Sequence, residues 1–249
     1  TRSFAEAERH IAVHTSTITT AGEKSRTTEK ERACEEPRLY DKFKTTSQAK
    51  KSMMRWHEIS GWFDFQEIYN KAIANARDGD VFVEVGSWLG RSTCYLADAI
   101  RLSKKKIRFY TVDHAIGSQD LQHDAAIHKE VVEANGGTTA GVLMSNIVKC
   151  GLREFVTPIF TDSVQAALLF PPESLSFVFI DAGHSYERAS ADIRAWWPTV
   201  RPGGLFAGHD YTEEWPGVIY AVDEFFMTQR GTSNSCQAIA CHSSWSRYK

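Results

Sequence analysis

Residues 175–211 restrict the fold more than any other part of the chain, because two short apolar runs there flank one amphipathic stretch. The runs Phe177–Ile180 and Leu205–Ala207 are typical of buried β-strands, and the stretch between them is typical of a helix. A strand, a helix and a second strand in this order usually form a parallel pair with the helix packed on one face. The segment therefore predicts a parallel α/β sheet.

Both runs end in polar residues that can bind a metal ion or move a proton. Asp181 and His184 follow the first run, and His209 and Asp210 follow the second. Ligands of parallel sheets bind outside the carboxyl ends of the strands, so these side chains predict a functional site. Carboxylates suit Mg²⁺, whereas an imidazole better suits Mn²⁺, Fe²⁺ or Zn²⁺. We predict Asp181, His209 and Asp210 as metal ligands, with Asp181 also taking part in catalysis.

His184 is the predicted general base, since an imidazole titrates near neutral pH. Two structural alternatives stay open at this point. His184 and Ser185 could serve only to shape the start of the following helix, and His209 could be a buried structural residue.

Apolar strands continue to alternate with amphipathic helices from about residue 53 onward, which predicts one α/β domain over residues 53–249 with helices on both faces of the sheet. Residues 1–52 are polar and poor in large apolar side chains, so we predict an arm that is disordered or bound to a partner. The expected helices cover residues 65–76 (capped by Asp64), 91–102, 120–134, 138–150, 162–170, 185–197 and 217–229. The expected strands cover residues 81–85, 107–112, 155–160, 175–180 and 204–208, with two more within 236–249.

Composition argues against several classes of function. The formal net charge of −2 gives no reason to expect nucleic acid or an anionic membrane as a partner. No apolar run approaches the ~20 residues that a membrane-spanning helix needs. The five cysteines are odd in number and lack CxxC spacing, which favours a reduced, cytoplasmic protein. We expect a small-molecule partner and leave open whether the chain forms a homo-oligomer.

A glycine-containing turn after the first predicted strand indicates a cofactor site, and its candidate residues are Glu84, Gly86, Ser87, Gly90 and Ser92. Gly86 and Gly90 allow the backbone to approach a ligand closely, and Ser92 can cap the next helix. Trp88 replaces the second glycine of GxGxxG, and the carboxylate of Glu84 would repel phosphate. A cofactor with ammonium and sulfonium groups, such as S-adenosylmethionine, suits this turn better. The alternative is a turn with only a structural role.

Two further strand ends complete the predicted cofactor site. Asp113 follows the second strand and suits hydrogen bonding to ribose hydroxyls. Asp162 and Ser163 follow the third strand, where Asp162 could accept a hydrogen bond from an adenine amino group. It could equally cap the helix that begins there, and one residue can do both.

Four segments, FVEVGSWLGRST, FYTVDH, FIDAGHSYERASADIRAWWP and GGLFAGHDY, together resemble a class I S-adenosylmethionine-dependent methyltransferase. The resemblance covers about residues 60–249 and is to the macrocin and mycinamicin type of metal-dependent O-methyltransferase, which acts on macrolide sugars. It is more distant to catechol O-methyltransferase. It implies a Rossmann-like, seven-stranded, mostly parallel sheet with one antiparallel strand near the end.

The resemblance also implies a role for each candidate residue. Glu84, Gly86 and Gly90 would line the methionine part of the cofactor, Asp113 would hold the ribose, and Asp162 with Ser163 the adenine. Asp181, His209 and Asp210 fall where the group places its divalent metal ligands, and His184 falls at the position of the base. His209 departs from the pattern, because two acidic ligands usually lie after the fifth strand or next to an amide, and here the first of the two is a histidine.

The implied reaction is methyl transfer from S-adenosylmethionine to a hydroxyl of a sugar or another natural product, assisted by Mg²⁺ or Mn²⁺. Three alternatives stay open from the residues. One is a nicotinamide-dependent oxidoreductase, against which the missing GxGxxG counts. The others are a catalytically degenerate cofactor-binding subunit of a larger assembly and a hydroxylase-like relative on the same fold, which would consume oxygen.

Overall fold

The computed structural model of the chain describes residues 53–118, 125–228 and 244–249. The arm predicted over residues 1–52 lies outside the described residues, as does most of the tail in which two strands were expected. The described part contains six strands: β1 (Val81–Val85), β2 (Arg108–Asp113), β3 (Thr157–Phe160), β4 (Leu175–Ile180), β5 (Val200–Gly208) and β6 (Trp245–Tyr248). Its α-helices are α1 (Gln66–Asn75), α2 (Arg91–Ser103), α3 (Ala125–Ala134), α4 (Ala140–Lys149), α5 (Ser163–Ala167), α6 (Tyr186–Trp196) and α7 (Pro216–Thr228).

The strands form one sheet in the order β3-β2-β1-β4-β5-β6. The first five strands are parallel to their neighbours, and β6 pairs antiparallel with β5. The mostly parallel sheet and the antiparallel strand near the end are as predicted; six of the seven expected strands fall within the described residues. Strand order reverses between β1 and β4, and this switch point opens the crevice in which ligands of such sheets bind.

The two central strands have the composition that burial on both faces requires. Every residue of β1 and β4 is buried, and their sequences VFVEV and LSFVFI are almost wholly apolar. Alternate side chains point to opposite faces: Phe82 and Phe177 pack with α1, α2 and α4, whereas Val83 and Val178 pack with α6 and α7. Helices therefore cover both faces, as the alternating pattern predicted.

Three local predictions are wrong. Asp64 does not cap α1, which starts after Phe65 without a side-chain cap. Ser92 does not cap α2, because Gly90 occupies the cap position and Ser92 lies inside the helix. β5 is longer than expected, because it begins at Val200 rather than at about residue 204 and so includes Pro202 and Gly203. An irregularity in the pairing with β4, between Leu175 and Phe177, accommodates these residues in the strand.

The ends of other helices lie where the sequence predicted them. Gly136 and Gly137 separate α3 from α4 as expected, and Ser185 caps α6 by accepting a hydrogen bond from the backbone N–H of Arg188. Within the described ranges, every helix is too short or too polar to span a membrane.

Candidate active site

A cavity of about 750 Å³ opens along the carboxyl edge of the sheet, where the strand ends carry the predicted site residues. Ten of the twelve candidates line it: Gly86, Ser87, Ser92, Asp113, Asp162, Ser163, Asp181, His184, His209 and Asp210. Glu84 and Gly90 do not. The two sites predicted separately are therefore two ends of one cavity, whose volume is in the range of small-molecule pockets.

The pairing of β4 with β5 brings the acidic and imidazole groups together. Ile180 pairs with Gly208, so the residues that follow them, Asp181 and His209, lie side by side. His209 Nδ1 is 3.1 Å from Asp210 Oδ1 and 3.7 Å from Asp181 Oδ1. His184 Nε2 is 2.9 Å from Asp210 Oδ2. The two histidines thus contact opposite oxygens of one carboxylate.

Among the described residues, Asp181, His184 and Asp210 form a group whose ligand atoms all lie within 4.8 Å of one another. Two carboxylates and an imidazole in this space are a donor set that a divalent cation can use. This compact group includes His184, predicted as the base, and not His209, predicted as the ligand. The chemistry of the set fits a cation, and the choice between the histidines depends on how each ring is held.

Asp210 and Trp215 fix the position of the His184 ring. Asp210 adopts a left-handed backbone conformation with φ of 61°, which Asp tolerates better than most residues and which redirects the chain after β5. The indole of Trp215 packs on the imidazole with ring centres 3.9 Å apart. The ring of His184 is therefore held by a carboxylate at its edge and an aromatic face on one side.

Sequence reasoning missed one residue of this cluster, Asp64. Its Oδ1 lies 2.8 Å from His209 Nε2, although 145 residues separate the two. The neighbouring Phe65 is buried and packs its ring 4.9 Å from the imidazole. No local signal in the segment WFDF indicates this contact, because a carboxylate ahead of an amphipathic run has the pattern of a helix cap.

The pKa values of this cluster reflect burial and mutual charge. Burial, followed by the charge of Asp210, raises the pKa of Asp181 to about 7. Burial lowers the pKa of His209. The hydrogen bond to Asp210 and the charges of Asp181, Asp210 and Asp64 outweigh this effect of burial and raise the pKa to about 9. Burial also opposes ionisation of Asp210, yet hydrogen bonds from His184 and His209 hold its pKa well below the usual range. The metal-free cluster therefore places the His209 cation among carboxylates at neutral pH.

Gly86 joins the end of the cavity that is predicted to hold the cofactor to this cluster. Its φ is +94°, and an added Cβ would overlap the carbonyl oxygen of Asp181 and lie 2.6 Å from the carbonyl carbon. Only glycine fits where the turn after β1 crosses the end of β4. Gly90 has a packing role instead, because a Cβ there would lie 2.5 Å from Leu143 Cδ1. Gly90 is not among the residues that line the cavity, and its contact with a cofactor stays a prediction.

Glu84 lies beneath the turn rather than on the cavity wall, contrary to the expectation based on its charge. Its carboxylate is fully buried and accepts hydrogen bonds from Tyr69 Oη at 2.7 Å, from Thr111 Oγ1 at 2.8 Å and from Thr93 Oγ1. Burial raises its pKa despite these donors. Thr111 Oγ1 also lies 2.7 Å from Ser87 Oγ, so the buried network supports the turn from below.

Asp113 shapes the same turn from the end of β2. Its Oδ2 accepts hydrogen bonds from the backbone N–H groups of Ser87 and Trp88, both at 2.9 Å, and its Oδ1 accepts one from Ala115. The carboxylate still lines the cavity. Its contact with a ribose stays a prediction, and its contacts within the chain show that it also holds the turn in place.

At the other end of the cavity, Asp162 caps α5, where its Oδ1 accepts hydrogen bonds from Val164 N and Gln165 N. Ser163 Oγ accepts a hydrogen bond from the indole N–H of Trp196 at 2.9 Å. Sequence reasoning missed Asp192, a buried carboxylate on α6 that lines this end and whose pKa burial raises to about 6. Asp162 thus fills the structural role considered for it and remains on the cavity wall.

Three solved structures share this fold with the chain. The O-methyltransferase NovP is 19% identical with a TM-score of 0.57, over 74% of this chain and 77% of that one. The calicheamicin methyltransferase CalS11 is 15% identical with a TM-score of 0.52, over 74% and 76%. The cofactor-bound protein Rv0187 from MTB is 17% identical with a TM-score of 0.50, over 77% and 83%. These identities are too low to carry more than the fold.

The sequence itself matches a protein family described as a methyltransferase domain over residues 83–211, just over half of the chain. The match begins within β1, ahead of the glycine turn, and ends just after the His209-Asp210 pair, so it spans the whole carboxyl edge described above. The chain therefore belongs to the methyltransferase domain family and is an S-adenosylmethionine-dependent methyltransferase of the class I fold.

Proposed function

We propose that the enzyme transfers the methyl group to a hydroxyl oxygen of a small molecule, with His184 as the general base. The observation that carries the proposal is the pair of His184 and Asp210, 2.9 Å apart, in the same cavity as the glycine turn. A hydroxyl is a weak nucleophile, so methyl transfer to oxygen needs a group that takes its proton. An imidazole held by a carboxylate is suited to that task.

The hydrogen bond to Asp210 also selects the tautomer of His184. When Nε2 donates to the carboxylate, the neutral ring carries its lone pair on Nδ1, and Nδ1 is the atom that accepts the hydroxyl proton. Asp210 then stabilises the imidazolium that forms, as the carboxylate of a catalytic triad does. The rest of the catalysis is positioning, because the acceptor oxygen must approach the cofactor methyl in line.

A cation site fits beside this base. We assign its ligands to Asp181, His209 and Asp210, since His184 is needed as the base and His209 Nδ1 lies within 3.7 Å of both carboxylates. Hard ions such as Mg²⁺ and Mn²⁺ use oxygen-rich sets of this kind. When bound, a divalent cation would supply a Lewis acid that stabilises negative charge on the acceptor oxygen.

The cofactor would occupy the part of the cavity between the glycine turn and α5. Gly86, Ser87 and Ser92 line it on one side, and Asp162 and Ser163 line it on the other. Asp113 lies between the two groups, where a ribose would be expected in this arrangement of strand ends. Glu84 would act indirectly, by holding the turn.

The acceptor would enter beside an aromatic wall. Trp62 lines the cavity although 54% of its surface is exposed, and Trp88 stacks on His128 with ring centres 4.1 Å apart. Exposed aromatic side chains around a polar site are suited to the ring face of a sugar or another natural product. The description of NovP as an O-methyltransferase supports transfer to oxygen, and that of CalS11 as a calicheamicin methyltransferase supports a natural-product acceptor. The cytoplasmic location and the lack of nucleic-acid and membrane partners stay predictions from composition, which makes no prediction about homo-oligomer formation.

The first experiment is thermal unfolding of the metal-stripped protein with S-adenosylmethionine, S-adenosylhomocysteine or NAD, each with and without Mg²⁺ or Mn²⁺. A ligand at about 100 times its Kd stabilises a protein by about 2.7 kcal/mol, which is a shift of several degrees for a domain of this size. We expect a shift with the two adenosyl ligands and none with NAD. No adenosyl shift under any condition would refute the cofactor site.

The second experiment tests the base. With an acceptor found by screening for S-adenosylhomocysteine release, His184→Ala should slow methyl transfer by about 10²–10⁴-fold while the Kd for S-adenosylmethionine stays the same. Oxygen consumption in the same assay would instead favour the hydroxylase-like alternative. Unchanged turnover in His184→Ala would remove His184 from the mechanism.

A further inference from the structure

Asp64 reaches the candidate cation site from an element that no sequence motif connects with it. It lies in the segment between the short 3₁₀ turn at Trp56–Glu58 and α1, and its Oδ1 is 2.8 Å from His209 Nε2. The side chain of Asp64 is 63% exposed, whereas that of His209 is 12% exposed. The contact is therefore between an accessible carboxylate and the outer edge of a nearly buried ring.

The segment around Asp64 is anchored on both sides, so its position does not depend on the ion pair. Arg91 Nη1 donates a hydrogen bond to the carbonyl of Gly61 at 2.6 Å. The ring of Phe63 packs against Phe65, with ring centres 4.9 Å apart, and Phe65 stacks on Phe179 of β4 at 4.5 Å. A carboxylate on a backbone held in this way can constrain the ring that it contacts.

The contact with Asp64 determines which nitrogen of the His209 ring faces the carboxylates. Asp64 accepts a hydrogen bond from Nε2 of His209. The opposite ring nitrogen, Nδ1, therefore faces the carboxylates of Asp210 at 3.1 Å and Asp181 at 3.7 Å. Histidines that bind metals commonly donate their other N–H group to a carboxylate, which fixes the tautomer and the orientation of the ring. The packing of Phe65 against the ring restricts it further.

We propose that Asp64 is a positioning residue of the cation site, which holds His209 with Nδ1 directed at Asp181 and Asp210. The inference rests on the proposed function, since it takes those three residues as the ligands. An ordinary surface ion pair has little effect when it is removed. A carboxylate that orients a metal-binding histidine differs, because its loss typically weakens metal binding 10–100-fold.

The test measures Mn²⁺ binding to the full chain, from the electron paramagnetic resonance signal of the free ion, and therefore needs no acceptor. We expect Asp64→Ala to raise the Kd for Mn²⁺ by about 10–100-fold. Asp64→Asn should have a smaller effect, because its amide oxygen can still accept a hydrogen bond from Nε2. The matched control is Glu58→Gln, six residues earlier, whose side-chain oxygen can still accept the hydrogen bond from Arg55 N; its Kd should equal that of the wild type.

A double-mutant cycle decides whether Asp64 acts through His209. In a His209→Ala background, Asp64→Ala should have no further effect on the Kd, because the ring that it orients is absent. The ring ¹⁵N signals of His209 give a readout without metal, and they should move in Asp64→Ala but not in Glu58→Gln. If the wild type binds Mn²⁺ and Asp64→Ala binds it equally well, the inference is wrong and the proposed function stands. If the wild type binds no Mn²⁺, the cation part of the proposed function and this inference both fall.

Discussion

Gly86→Ala is the substitution that best tests how the glycine turn and the candidate catalytic cluster depend on each other. Gly86 N donates a hydrogen bond to Val112 O at 2.8 Å, and Asp181 N donates one to Val85 O at 2.7 Å. The turn after β1 and the end of β4 are thus tied together where an added Cβ would overlap the Asp181 carbonyl. The substitution must move one of these backbones.

The expected loss of stability in Gly86→Ala follows from a comparison with Gly79. Both glycines have left-handed backbones, with φ of +94° at Gly86 and +91° at Gly79, but a Cβ at Gly79 would meet nothing within 4 Å. Gly79→Ala should therefore cost only the conformational strain, about 1–2 kcal/mol. Gly86→Ala adds overpacking of about 1–3 kcal/mol and a loss of about 1 kcal/mol in total from the weakened backbone hydrogen bonds. We expect a total loss of about 3–6 kcal/mol.

Urea unfolding of both variants measures the loss of stability, and thermal unfolding measures the shift in Tm. With roughly 2–4 °C per kcal/mol for a domain of this size, Tm should fall by about 2–8 °C in Gly79→Ala and by more than about 6 °C in Gly86→Ala. Binding of S-adenosylmethionine should survive only in Gly79→Ala. Equal losses of stability in the two variants would refute the reasoning, because they would show that the approach of Gly86 to Asp181 has no energetic consequence.

Four other substitutions test separate parts of the site. Asp162→Ala should cost about 1 kcal/mol in urea unfolding through loss of the α5 cap and should also weaken cofactor binding. Tyr69→Phe should cost about 1–3 kcal/mol, because it removes a donor from the buried carboxylate of Glu84. Trp62→Ala should raise the KM for the acceptor more than it lowers kcat. The pKa of Asp181 is raised to about 7, so its ionisation costs stability as pH rises from about 4 through 7. Asp181→Asn cannot ionise, so in metal-free protein its Tm should exceed that of the wild type at pH 8 by more than at pH 4, while methyl transfer is lost.

The sheet could be predicted from the sequence because its central strands leave little choice. The bounds of β1 and β4 were as expected, since a run of apolar residues buried on both faces has no other place in a domain of this size. Most strand-end candidates also fell on one cavity wall, because parallel strands place their carboxyl ends together. Local pattern and topology were sufficient for these features.

The errors arise where a contact is distant in sequence or where charge was taken as a sign of exposure. Asp64 before an amphipathic run has the local pattern of a helix cap, and only the folded sheet reveals His209 as its partner. Glu84 was expected to face a cationic ligand, but three hydroxyls from α1, α2 and β2 allow it to be buried instead. No local signal carries either fact.

The candidate cluster holds two carboxylates close together at a cost in local stability. Asp181 and Asp210 lie at adjacent strand ends, and burial, followed by the charge of Asp210, raises the pKa of Asp181, so that holding both as carboxylates opposes folding. His209 offsets part of this repulsion, since its pKa near 9 keeps it cationic between them at neutral pH. An acidic residue at this position would add a third negative charge, which a bound cation or further protonation would have to balance. His209 therefore lets the fold tolerate the carboxylate pair without a cation, and a cation that uses Nδ1 must first displace its proton.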